Sequence, residues 1–397
     1  MKFLTTALSF LLFLSPLSIS AQKVDCQDFT DLEFYKGENV YAGLEIGSKG
    51  LKATIVRFGV NGNRVSFSPL IESPNLALNT NASDAKQEFK APLDSTIVRV
   101  MQYVKMFKGD PYRIPQDRIF LLASSGLVAT LSKEHIAAYF RNEIQLKTKL
   151  QLFEMSGDEE GSYKALHLAI DENREKYDYA KADNINVVDI GSRNISGAHL
   201  IEGNVTKSFP ETDGSIKNVI EAVREEIKKN NMDTASSDGR YRVVLLASSI
   251  FKKKYLPQIG LSAKPDYIFF GGGTPFFVTA WLKPTAFSTK DRLIQMRTED
   301  VTYFRQEVVR FNNVDALFKA RANSLGYLSL DDRNKLNQAR RVFGDKYLDV
   351  MVAAGIMDAI LDEFEYKGAK TFYFDNRMLS SAMEYFLYTQ YKSVMAK

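Results

Sequence analysis

The chain has 397 residues, 45% apolar and 25% charged, enough to bury one large core or two smaller ones and too apolar for the bulk to be disordered. A net charge of +4, with no long basic stripe interleaved with aromatics, argues against a nucleic-acid binder, and the single cysteine, Cys26, excludes an intramolecular disulfide framework. The densest basic run, "FKKKY" at 251–255, reads as a solvated face rather than a polyanion contact.

The first segment, "MKFLTTALSFLLFLSPLSISAQ", has an early cation at Lys2, an apolar run from Phe3 to Leu14, and the small residues Ser18, Ser20 and Ala21 before polar sequence. This is the layout of a secretory signal peptide, expected to occupy residues 1–21 and to be cleaved near Ala21. Pro16 interrupts a run already shorter than the roughly 18 residues a spanning helix needs, so no stable membrane insertion is expected after signal removal. The sequence thus predicts a periplasmic or secreted protein.

Strands are predicted at 40–46, 51–58 and 65–71, each bounded by Gly, Asn or Pro turns. Next, "PLDSTIVRVMQYVKMFKGD" places Ile97, Val100, Met101, Val104 and Phe107 at helical spacing, with Asp94 or Ser95 as N-cap and Gly109 as the stop. "RIFLLASS" at 118–125 reads as a buried strand, 132–147 as a helix, and "LQLFEMSG" at 150–157 as a strand. The order then repeats, with strands at 185–191, 195–201 and 205–209 and a helix in "SIKNVIEAVREEIKKN". "RVVLLASS" at 242–249 echoes "RIFLLASS", and "DYIFFGGGTP" at 266–275 supplies a last strand with a glycine loop.

Two phrases, "YAGLEIGSKGLKATIVRF" at 41–58 and "VVDIGSRNISGAHLIEGN" at 187–204, each set an acid, an isoleucine and Gly-Ser at the turn after a first strand. Glycine there lets backbone N–H groups approach a phosphate closely. Two such turns facing one cleft would clamp a phosphate chain from both sides.

A duplicated unit of three strands, helix, strand, helix and strand, with these turns, resembles the actin-like superfamily. "FEMSGDEEGSYKALHLAI" at 153–170 resembles the Ser-Gly-x-Glu-Glu segment of the exopolyphosphatase/guanosine pentaphosphatase (Ppx/GppA) family. "YLDVMVAAGIMDAILDEFEYKGAKTFYFDNRMLSSAMEYF" at 347–386 is similar to that family's closing helix, strand and helix, with its Asp-x-Arg-x-Leu element. The resemblance covers roughly 40–275 and 335–390. It implies an α/β fold of two ribonuclease H-like lobes around a cleft, the N-terminal lobe at 38–148 and the C-terminal lobe at 149–397. A mainly helical insertion at about 276–335, around Trp281, fits the family least.

Carried over position by position, the resemblance implies that Glu159 orients or deprotonates the attacking water, and that Glu45 and Asp189 lie at a Mg²⁺ ion. Gly47, Ser48, Lys49, Gly191, Ser192 and Arg193 would contact phosphate, and Gly272 and Gly273 a base, ribose or phosphate. A carboxylate suits a water-directing task, and Mg²⁺ prefers a few carboxylates plus waters and substrate phosphates. The implied activity is hydrolysis of phosphoanhydride bonds, those of inorganic polyphosphate first, because guanosine polyphosphates and ATP are cytoplasmic compounds.

The chain departs from the family pattern where Arg193 replaces a loop glycine, Ser196 an acid, and Val128 an arginine after the fourth strand. An arginine aimed at a transferring phosphoryl group is worth orders of magnitude in rate. A second reading follows, a catalytically weakened protein that binds or senses polyphosphate or another anion. Glu159 and Glu160 also read as first-turn acids of a helix, Gly271–Thr274 as a tight turn, and His135, His167 and His199, which lack ligand spacing, as structural residues. Asp189 is harder to explain structurally, because an acid in an apolar strand is costly to bury without a partner or ion.

Overall fold

Val40–Gly47 (β1) contains one charged residue, Glu45, and is buried from Val40 to Ile46. Such a run is stable as a strand covered on both faces, in the middle of a sheet. The computed structural model places it there, and describes residues 40–47, 50–61, 64–72, 86–110, 112–133, 135–171, 184–191, 195–208, 216–259, 265–287, 292–343, 346–366 and 371–395. The signal-peptide segment and the turn residues Ser48, Lys49, Ser192 and Arg193 lie outside the described residues.

The first sheet is completed by Gly50–Asn61 (β2), Arg64–Glu72 (β3), Ile119–Ala123 (β4) and Leu152–Glu154 (β5), in the order β3-β2-β1-β4-β5. The second contains Asn184–Ile190 (β6), Ile195–Ile201 (β7), Asn204–Ser208 (β8), Tyr267–Gly271 (β9), Leu293–Met296 (β10) and Thr371–Asp375 (β11), in the order β10-β11-β9-β6-β7-β8. Read from β8 inward, the second sheet repeats the first: an antiparallel meander of three strands, then two parallel strands beside the first of them. The duplicated α/β architecture expected from the sequence is therefore present, with β10 as an added antiparallel edge.

The helices are Lys86–Lys108 (α1), Ser125–Lys133 (α2), Ala137–Thr148 (α3), Gly157–Ile170 (α4), Ile216–Lys229 (α5), Ser237–Ile250 (α6), Gly273–Leu282 (α7), Thr298–Arg310 (α8), Val314–Ser324 (α9), Leu330–Phe343 (α10), Tyr347–Tyr366 (α11) and Met378–Met395 (α12). Among the described residues, no helix is long and apolar enough to cross a membrane.

Several expectations change. "RVVLLASS" is part of α6, capped by Ser236, not a strand. Its buried residues Val243, Val244, Ala247 and Ser248 repeat with the helical period, and the cap makes a helix the cheaper way to bury them. The structural counterpart of β4 is β9, so the echo with "RIFLLASS" is one of letters alone. The helix expected at 132–147 is α3 and starts only at Ala137; a separate, unexpected helix, α2, ends at Lys133, and His135 between them has a φ of +56°. Helix α1 begins at Lys86, earlier than Asp94 or Ser95. Strand β5 belongs to the first sheet, which therefore extends past the expected lobe boundary at 148/149. The segment 276–335 is mainly helical as expected, yet it also supplies β10 and buries Phe277, Trp281 and Phe304 in the core of the second lobe. In "FKKKY", Phe251 and Tyr255 are buried and the lysines face outward, Lys252 pairing with Asp362.

Two helices join the sheets. Helix α12 lays Ala382, Met383, Phe386, Leu387 and Tyr391 on the first sheet against Tyr41, Val56, Phe58 and Leu122, while its Met378 packs with the second. Helix α4 mirrors this, with Ala165, Leu168 and Ala169 on β6 and β7 and Tyr163 and Ile170 toward the first sheet. Helix α4 rides very close to β7: a Cβ on Gly161 would run into the backbone N and O of Gly197. Backbone cannot yield as a side chain can, so Gly161→Ala is expected to destabilise the fold by about 1–3 kcal/mol, read as a lower urea midpoint with an unchanged m-value.

Candidate active site between the lobes

The registers put the two acids in equivalent places. Glu45 lies opposite Lys52 on β2 and beside Leu122 on β4; Asp189 lies opposite Ser196 on β7 and beside Gly271 on β9. Each acid is two residues before the glycine that ends its strand, Gly47 or Gly191, both half-buried. Each fourth strand then runs into a helix N-terminus, Ser124-Ser125 at α2 and Gly272-Gly273-Thr274 at α7.

Between these two constellations stands the N-terminal turn of α4. Ser156 caps it by accepting from the Glu159 N–H at 3.2 Å, and Glu159 in return accepts from the Ser156 N–H at 2.9 Å. This reciprocal box satisfies two of the helix's otherwise unpaired N–H groups and fixes the direction of the turn. Glu160 then points inward. It accepts from Ser125 Oγ at 2.5 Å and from Lys164 Nζ, one turn along the same helix, at 2.6 Å. Lys164 also donates to Asp189 Oδ2 and lies 3.4 Å from Ser196 Oγ. Across the first hairpin, Lys52 donates to Glu45 at 2.8 Å. A bonded chain thus runs from Ser125 at the start of α2 through Glu160 and Lys164 to Asp189 on β6, touching both lobes, and the Lys52 charge of the first hairpin acts on Glu160 through space.

The side chains of Lys164, Glu160 and Asp189 are only 3%, 13% and 12% exposed, so their charges interact with little screening from water. Burial alone would raise the Glu160 carboxyl, but the Lys164 ammonium, its hydrogen bond, Ser125 and the charge of Lys52 hold it down to about 2. Burial would likewise depress Lys164, and Asp189 and Glu160 together more than offset this, so its ammonium is held above the ordinary lysine value. Glu160 and Lys164 are therefore both ionised throughout the neutral range.

Two buried oxygens nearby have no hydrogen-bond partner, Asp189 Oδ1 and Thr274 Oγ1. Asp189 Oδ1 adjoins Gly272, whose φ of +90° an L-residue rarely adopts and whose missing Cβ would strike that oxygen. No side chain caps α7. Its first N–H groups, at the positive end of the helix dipole, therefore face the second-lobe side of the site without a side-chain cap, while the two oxygens themselves stay sealed.

No family model matches the chain, and no curated protein does. Solved structures match most of it. A Ppx/GppA phosphatase of Aquifex aeolicus, type II variant, is 15% identical and covers 87% of this chain and 98% of its own, with a TM-score of 0.58. An exopolyphosphatase from Cytophaga hutchinsonii is 10% identical, covering 88% of this chain and 98% of its own at a TM-score of 0.57. An exopolyphosphatase-like protein is 13% identical over 85% of this chain and 94% of its own, at a TM-score of 0.54. The chain has the two-lobed Ppx/GppA fold.

Within the Ppx/GppA fold of this chain, Glu45, Gly47, Asp189, Gly191, Gly272 and Gly273 all lie at the ends of central strands or at the helix start that follows them. Glu159 stands apart: it is exposed and closes the capping box, and its neighbour Glu160 is the carboxylate turned toward the two hairpins. Sequence reasoning missed Lys164, Lys52 and Ser125. The signal available for Lys164 was its i,i+4 spacing from Glu160 on a helix whose other inward residues, His167 apart, are small or apolar.

The residues present do not fit the Mg²⁺ ion that the fold family implies. Among the described residues, no group of three or more His, Cys, Asp or Glu side chains is placed to hold a metal. Glu45 is already paired with Lys52, and Asp189 with Lys164. Both acids predicted as metal ligands are thus neutralised by lysines of the same chain.

Proposed function

We propose that the protein is an exported Ppx/GppA-type phosphatase that takes a phosphoanhydride chain, inorganic polyphosphate first, into the cleft between its lobes. The observation that carries this reading is the pair of equivalent hairpins, with a buried bonded chain from Ser125 through Glu160 and Lys164 to Asp189 between them, in a fold shared with exopolyphosphatases over most of the chain. In this reading Gly47, Ser48, Lys49, Gly191, Ser192 and Arg193 approach phosphate oxygens, and Gly272, Gly273 and Thr274 hold the ligand on the second lobe. Glu160, fixed by Ser125 and Lys164, orients the water that attacks the terminal phosphorus.

A second reading, capture of the chain without cleavage, is favoured by one feature. A carboxylate held down to about 2 is a weak proton acceptor, since general-base catalysis is most efficient near the operating pH. One experiment separates the two. The mature protein is mixed with sodium polyphosphate, and both its melting temperature and the released orthophosphate are followed. At about 100 times the dissociation constant, the ligand should stabilise the fold by about 2.7 kcal/mol. Stabilisation with phosphate release supports the phosphatase; stabilisation without release supports capture. The absence of both stabilisation and release would refute the phosphate cleft.

A further inference from the structure

We infer that Lys164 is the resident cation of the cleft, standing between Glu160 and Asp189 where a divalent ion would bridge two carboxylates, so that the site takes up a phosphate chain without Mg²⁺. The uptake half of this inference rests on the function proposed above; the half concerning the cation stands on geometry alone.

Glu160 and Asp189 offer four oxygens. Glu160 Oε1 is held by Lys164 and Oε2 by Ser125, and Asp189 Oδ2 is held by Lys164. Only Asp189 Oδ1 is left, and it is fully buried against Gly272, where not even a Cβ fits. Mg²⁺ dehydrates reluctantly and keeps several waters in near-octahedral geometry, which one sealed oxygen cannot accommodate. A dication there would also stand beside an ammonium in a region of low dielectric, where like charges repel strongly. The lysine is secured from three elements: it is grafted on α4, bonded to β6, and 3.4 Å from Ser196 on β7. Unlike a bound ion, it cannot be chelated away. Asp189 and Glu160 then orient the ammonium rather than ligate a metal.

The test uses the full mature chain, with Mg²⁺ alone and sodium polyphosphate as probes. Wild type is expected to show no calorimetric Mg²⁺ binding at millimolar concentration and no shift in melting temperature between EDTA and about 10 mM Mg²⁺. Stabilisation by polyphosphate should differ by less than about two-fold in half-saturating concentration between those conditions. Lys164→Met exposes the carboxylate pair, so it should melt lower than wild type in EDTA and recover by about 5 °C in Mg²⁺, a gain of response that a merely structural lysine would not create. A wild type that binds one Mg²⁺, with Asp189→Asn abolishing it, would overturn the inference, as would polyphosphate stabilisation that vanishes in EDTA. If Lys164→Met does not fold, the wild-type measurements decide alone. If polyphosphate stabilises under neither condition, the cleft reading fails while the Mg²⁺ titration still scores the lysine.

Discussion

Replacing Arg292 by methionine is expected to destabilise the protein by about 3–5 kcal/mol, the cost of breaking a buried ion pair by removing one partner. The guanidinium, 6% exposed, grips Asp375 through Nε at 2.9 Å and Nη2 at 2.7 Å, donates through Nη1 to Asp171, and reaches His167 Nδ1 at 3.2 Å. Without it, Asp171 and Asp375, 1% and 2% exposed as side chains, would lose the cation they share. The network continues through His167 Nε2, 2.7 Å from Glu384, and Glu384 in turn accepts from Arg377 at 2.6 Å and Ser380 at 2.8 Å. It therefore joins α4, β10, β11 and α12, and two of these, α4 and α12, are the helices that bridge the sheets. Equilibrium urea unfolding of Arg292→Met against wild type checks the size of the loss.

The same network sets the response to acid. Burial would raise Glu384, but Arg377, His167 and Ser380 outweigh it and hold the carboxyl down to about 2, against an ordinary value of 4.5. Burial lowers His167, despite the opposing pull of Glu384, so the folded state keeps that imidazole neutral where the unfolded chain protonates it. In both cases the unfolded chain binds more protons, so stability is complete above the unfolded pKa and falls as pH drops. Unfolding free energy should begin to fall below about pH 6.5 through His167, and fall further between about 4.5 and 2 through Glu384 and Glu160. Glu384→Gln should flatten the lower part of that profile.

The hairpins were legible because their alternation of buried strand and glycine turn is local, and local patterns survive in sequence. So were the closing helix, strand and helix, whose ranges at 347–366, 371–375 and 378–395 follow the expected order. "RVVLLASS" was misread because four consecutive apolar residues fit a buried strand as well as a helix. What decides between them is Ser236, six residues upstream of the echo, and the packing of Val244 and Ala247 against Gly355 on α11. The fifth strand of the second sheet, β11, lies about a hundred residues beyond β9 with five helices between them, and no local pattern announces such a pairing. At the site, Asp189 could be singled out from its apolar surroundings alone. Its partner could not: Lys164 lies 25 residues away, and only the close approach of Gly161 to Gly197 brings α4 near enough for them to meet.

The identity of the water-directing carboxylate carries the second large effect. If wild type releases phosphate, Glu160→Gln should lower the rate by roughly 10²–10⁴-fold, the span typical of a lost general base. The amide preserves size and can still accept from Ser125, and Lys164 remains paired with Asp189, so polyphosphate should still raise the melting temperature of the variant. Glu159→Gln should behave differently. Glutamine serves at the third position of a capping box as glutamate does, and Ser156 can keep both its bonds, so stability should fall by no more than about 1 kcal/mol and turnover should stay within about three-fold. The contrast is informative because the two residues are adjacent on one helical turn and differ chiefly in direction, one toward its own cap and the other toward both hairpins. Orthophosphate release measured for both variants beside wild type, with the ligand-induced melting shift as control for binding, reads it directly. The reverse pattern, with Glu159→Gln losing turnover and Glu160→Gln keeping it, would move the role to the exposed residue and require the capping box to open when the phosphate chain enters.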